Sequence, residues 1–126
     1  MTINDIIAEA NRYRPNHKAS DAEIIKWLSR FDFKVKNDIH DWIEWFPWMK
    51  DFKGYESTVD RNTELLIRED QFEDLYRHYI LAQIDLLQAD MDSYKNERAL
   101  CDEMYLNYQG WYVRKHHPRR RFTRLW

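Results

Sequence analysis

His78 and Asp85 stand seven positions apart, close enough in helical phase to share a face, and they are the nearest approach in this chain to a histidine–carboxylate pair. One imidazole and one carboxylate make a poor metal site; a histidine at the edge of the core is the simpler reading. His40 and Asp41 are adjacent, and adjacent residues on a helix do not face one site. Acid pairs such as Asp85 with Glu97, or Asp90 with Asp92, could in principle do acid–base work, but among twenty-two acids chance proximity explains them. Cys101 is the single cysteine, so an internal disulfide is excluded and no zinc cluster can form on it alone. It falls on an apolar helical face, where an inert buried thiol is expected rather than a nucleophile. Gly54 and Gly110 are too far apart to build a phosphate-cradling loop, and H-E-x-x-H, G-x-S-x-G and C-x-x-C are all absent. The sequence therefore offers no catalytic, metal-binding or cofactor-binding residues, and the expectation is a protein that is not an enzyme.

Charge points elsewhere. Residues 114–126 hold Arg114, Lys115, Arg119, Arg120, Arg121 and Arg124 without one acid. Removing these six from the twenty basic residues leaves fourteen against twenty-two acids, so residues 1–113 carry −8 although the whole chain carries only −2. An acidic body with a basic tail presents two distinct contact surfaces. The tail can be read as a nucleic-acid element, with clustered guanidinium groups and with Phe122 and Trp126 for stacking. It can equally be read as a protein-docking arm, in which Arg119, Arg120, Arg121 and Arg124 meet an acidic neighbour and Phe122 and Trp126 serve as apolar anchors. A solvated tail, ordered only on contact, is the plainest alternative.

The elements that would carry these residues are helical. Apolar positions at Phe72, Leu75, Tyr76, Tyr79, Ile80, Ile84, Leu87, Met91 and Tyr94 step by three and four, and the series resumes at Cys101, Met104, Tyr105, Tyr108 and Tyr112. Unbroken, residues 72–115 would make a rod of about 66 Å, whereas a domain of this size has a radius of gyration near about 14 Å. A break at Asp92–Asn96, where Asp, Ser and Asn can serve as a new N-cap, would fold the rod into an antiparallel helix pair. Upstream, Thr2 caps a short helix over Ile3 to Arg12 that places Ile3, Ile6, Ile7 and Ala10 on one face. Ser20-Asp21-Ala22-Glu23 has the capping-box spacing. A stripe of Ile24, Trp27, Leu28, Phe31, Val35, Ile39, Trp42 and Phe46 follows it, with a turn expected near Phe31–Val35 and a stop at Pro47. Residues 48–63 read as a loop of ordered aromatics, Leu65-Leu66-Ile67 as a short strand without an evident partner, and Asp70 with Glu73 as the cap of the long helical region. Gly110 costs the last helix roughly 1 kcal/mol and marks a kink or a close approach. The predicted core is Trp27, Leu28, Phe31, Tyr76, Ile80, Ile84, Leu87 and Cys101.

The expectation is an all-α domain over residues 1–113, a small helical bundle with a basic tail over 114–126. At 126 residues it has room for one real core, filled largely by its six Trp, eight Tyr and six Phe. The N-terminus lacks a signal peptide's basic start and apolar run, and no stretch approaches a membrane span. The expectation is a soluble protein, inside a cell or released with its contents, without a membrane partner.

Trp27-Leu28, then Leu75-Tyr76, Tyr79, Ala82, Ile84-Asp85, Tyr94 with Asn96, Tyr105 with Tyr112, and an ending with His116 and Pro118 together resemble the small head–tail connector (adaptor) proteins of tailed phages and prophages. The resemblance implies a mostly helical virion protein that forms a ring, often of twelve subunits, beneath the portal. Such a ring extends the DNA channel toward the tail and helps retain the genome. The implied partners are the portal protein and other neck and tail-completion proteins, met in the host cytoplasm during assembly. The isolated chain could be a monomer, with the portal as template for the ring. The chain departs from the family pattern in its aromatic Trp42–Trp48 cluster and in the Arg120-Arg121 extension. An acidic body suits a protein beside passing DNA, because surface acids repel phosphate without reading any sequence. The competing class is a small DNA-binding or regulatory protein that uses its basic tail, whose affinity would fall steeply with salt.

Overall fold

The computed structural model describes residues 1–40 and 54–116. Four α-helices, with no strand among the described residues, make the architecture: α1 (Ile3–Tyr13), α2 (Asp21–Val35), α3 (Asp74–Leu87) and α4 (Met91–His116). Both predicted N-terminal caps form. The Thr2 hydroxyl accepts from the Asp5 N–H while Asp5 reaches back to the Thr2 N–H, and Ser20 and Glu23 do the same for α2. Each box satisfies two otherwise orphaned donors, which is why these helices start where they do. Ile3, Ile6, Ile7 and Ala10 are buried on α1 as expected.

The turn expected near Phe31–Val35 is absent. α2 runs unbroken to Val35 and passes directly into a π-helical turn, Lys36–His40, which keeps Ile39 in the core. Trp42, Phe46 and Pro47 lie outside the described residues.

The predicted strand at Leu65–Ile67 is also absent. Leu65 and Ile67 are fully buried, but the backbone pairing ends at Leu65, where residues 61–65 run against the N-terminus. Ile3 N–H donates to Thr63 C=O, Asn4 N–H to Arg61 C=O and Leu65 N–H to Met1 C=O, around an isolated bridge between Thr2 and Glu64. Three bonds to one short segment are too few for a sheet. Asp70 and Glu73 do not cap α3 through their side chains either. Asp70–Phe72 forms a 3-10 turn leading into the helix, and the Glu73 carboxylate lies 3.9 Å from the N-terminal ammonium.

α3 is the central element. It packs along α4 as an antiparallel hairpin and also against α1 and α2, so Leu75, Tyr76, Ile80, Leu81, Ala82 and Ile84 are buried around more than one face. Rings fill the remaining space. Phe31 of α2 meets Tyr76, Tyr79 and Tyr105 at centroid distances of 5.4, 4.7 and 5.9 Å, and Phe72 meets Tyr108 edge-on at 5.1 Å. Of the predicted core, all but Leu87 is buried.

Gly110 interrupts nothing. α4 continues through it as far as His116, so the first residues assigned to the tail are helical, and a Cβ there would meet only the end of the Arg114 side chain at 3.3 Å. Gly54 is the demanding glycine. It sits at φ +110°, with Ser29 Oγ only 1.8 Å from where a Cβ would stand.

Candidate functional site

The hairpin that joins α3 to α4 turns earlier than the composition suggested. Asp90, not a residue of 92–96, starts α4: its carboxylate accepts from the Ser93 N–H at 3.3 Å and its carbonyl from the Tyr94 N–H at 3.0 Å. Ala89 carries the reversal at φ +60°, and the Asp90 N–H closes onto Asp85 C=O at 2.9 Å. This shift has a consequence for the surface. Leu87 and Met91, counted with the apolar stripe, are displaced from the core, and with Leu86 they stand 49, 46 and 45% exposed, respectively. Three large apolar side chains within six positions of a tight turn form an apolar tip. Leu100 and Leu106 are exposed as well, along α4. Unpartnered apolar surface of this kind is what protein contact sites bury.

Two polar networks, the first part-buried and the second buried, hold the hairpin and its neighbours. Arg14, at the end of α1, grips Asp85 of α3 with two bonds, Nε to Oδ1 at 2.7 Å and Nη2 to Oδ2 at 2.9 Å. Its guanidinium also lies 3.7 Å from Glu97 of α4, and Glu97 in turn bonds His78 Nδ1 at 2.7 Å. The Asp85 bond raises the Arg14 pKa further, so the guanidinium keeps its charge. Asp85 and Glu97 are therefore a pair spanned by a cation, and His78 and Asp85 share no ligand. Asp85, Glu97 and His78 thus tie α1, α3 and α4 together.

The second network was not anticipated. Asp32 is fully buried. Its Oδ2 accepts from the Tyr55 hydroxyl at 2.5 Å and the Leu66 N–H at 3.1 Å, and its Oδ1 from the Tyr76 hydroxyl at 2.6 Å. Tyr76 Oη also accepts from the Ile67 N–H at 2.9 Å. Burial pushes the Asp32 carboxyl up to about 6, outweighing the opposing effect of its three donors. Burial and the neighbouring Asp32 charge push both tyrosine hydroxyls upward, so they remain donors. With donors on both oxygens and no exposed surface, this carboxylate clamps the segment containing Tyr55, Leu66 and Ile67 onto α2 and α3. A sequence signal existed. Ile25, Leu28, Asp32, Val35 and Ile39 step by three and four, placing one acid in an otherwise apolar stripe.

Cys101 is buried, and burial lifts its thiol to about 11, which makes it a poor nucleophile. Among the described residues no three His, Cys, Asp or Glu side chains are grouped to hold a metal ion, and no helix is long and apolar enough to cross a membrane. Arg119, Arg120, Arg121, Phe122, Arg124 and Trp126, predicted to dock a partner, lie outside the described residues. No family model matches the sequence, and neither a curated protein nor a solved structure is significantly similar to it.

Proposed function

We propose that this chain is a structural adaptor of the virion neck in tailed phages, a head–tail connector that assembles as a ring between portal and tail and continues the DNA channel. The observation that carries this reading is the exposed apolar tip of Leu86, Leu87 and Met91 on a hairpin braced by the Arg14–Asp85 ion pair. A rigid knob with three large apolar side chains suits a protein that packs against copies of itself or against a neighbouring ring. The acidic body supports the same reading, since it keeps duplex DNA from adhering to the channel wall. Residues of the basic tail would add a second contact, toward the portal.

Electron microscopy of tailed particles tests the proposal directly, with the protein expected at the neck. Finding it only in infected-cell extract and never in particles would sink the idea. Replacing Leu86, Leu87 and Met91 together by Ser should leave the helical signal intact, because all three are exposed, while particle completion fails. Normal particle yield from that variant would remove the tip from the assembly contacts.

A further inference from the structure

A crevice of about 170 Å³ opens between α2 and the α3–α4 hairpin, away from the apolar tip. Its rim is basic. Arg30 and Lys34 stand one turn apart on α2, and Arg98 faces them from α4. Its floor is apolar and aromatic, made by Phe31, Tyr79, Tyr105 and the neutral thiol of Cys101. Asp102 is the one acid on the lining, and it is engaged by Arg98 at 3.1 Å. Arg30 makes no ion pair among the described residues, and the Lys34 ammonium is held over the Tyr105 ring at 4.7 Å, which fixes a positive charge at the mouth. Lys26 lies one further turn back along α2 and is also exposed. Lys26, Arg30 and Lys34 thus follow one another at about 6 Å intervals along the helix, close to the spacing of successive phosphates on a nucleic-acid strand.

In a body that is acidic overall, three exposed cations on one helix, with no ion pair among the described residues and beside a ring-floored cavity, form a local anion site with a place for a flat apolar group. We propose that this crevice binds a nucleotide, with the phosphate on Arg30 and Lys34 and the base against Tyr79. Cations beside stacking rings are the combination by which proteins hold unpaired nucleotides without reading their sequence. The ligand can be free or part of a single strand, since both present the same phosphate and the same unpaired base. An acidic peptide would use the rim but leave the rings idle.

The test uses the full chain, with adenosine monophosphate and a labelled oligothymidylate as probes at low salt. Binding of at least one probe is expected, with a roughly tenfold or greater loss in the double variant Arg30→Ala/Lys34→Ala, whose side chains are exposed and whose helical signal should be unchanged. For the oligonucleotide, the slope of log affinity against log salt should drop by about 0.7 for each phosphate contact removed. Much tighter binding of the strand identifies a strand site, and comparable affinity for both probes identifies a free-nucleotide site. Binding that survives the double substitution would assign the affinity to the basic tail and overturn the proposal. No binding of either probe at low salt would do the same, as would equal binding of oligoglutamate.

Discussion

The buried carboxylate of Asp32 sets an unusual pH dependence that a single substitution can expose. An unfolded chain releases this proton near 3.8, whereas burial holds it in the native protein until about pH 6. Between those values the native state binds one more proton than the unfolded state, so this residue's contribution to stability is complete below 3.8 and is lost as pH rises through 6. At about 1.4 kcal/mol per pH unit, the contribution lost is about 3 kcal/mol, a large share of a small domain's stability. Other carboxylates titrate over the same range, but they cancel when the wild type is compared with Asp32→Asn, which stays neutral throughout. Urea unfolding of both proteins at pH 4, 5, 6 and 7 should show the wild type's advantage over the variant shrinking by about 2.4 kcal/mol from pH 4 to pH 7, the rest having been lost below pH 4. The reasoning fails if the difference is flat, or if the penalty for Asn grows with pH. A flat difference would mean that the donors from Tyr55, Tyr76 and Leu66 balance burial, and a growing penalty that they outweigh it.

Other substitutions probe the frame around that site. Gly110→Ala should stabilise the protein by about 0.5–1 kcal/mol, since its helix is continuous and only the Arg114 side chain must give way. Gly54→Ala should instead destabilise it by about 2 kcal/mol or more, from positive φ combined with collision at Ser29. Thermal melts of the two variants should therefore move in opposite directions. Arg14→Ala leaves the Asp85 carboxylate buried without its cation and should cost about 2–3 kcal/mol by chemical denaturation.

Where the sequence was legible, the determining physics was local. Thr2 with Asp5 and Ser20 with Glu23 are decided within four residues, and those helix starts could be read directly. The apolar stripe located α3 and most of α4 for the same reason, and so gave the all-α class. It misassigned Met91 because a periodicity counted across a turn assumes one continuous helix, whereas Asp90 restarts the helix and resets its phase, and it misassigned Leu87 because the helix ends on that residue at the turn. The apolar tip was hidden by that error. Asp32 went unrecognised because its partners, Tyr55, Leu66 and Tyr76, come from distant parts of the chain and only the fold brings them together. Arg14 met Asp85 across a separation of 71 residues, which no window of sequence spans. The crevice combines side chains of three helices and was equally out of reach.

The pairing of the first four residues with residues 61–65 also orders events in time. α1's entry has no partner until residues 61–65 have been made, and its Arg14 clasp has none until Asp85, since these contacts close loops of about sixty residues or more. Such closures are entropically expensive and are formed late, whereas the α3–α4 hairpin needs only three connecting residues. α1 therefore docks onto a hairpin that already exists. Truncations at Ile6 should mainly speed unfolding, and those at Ile84 should slow folding.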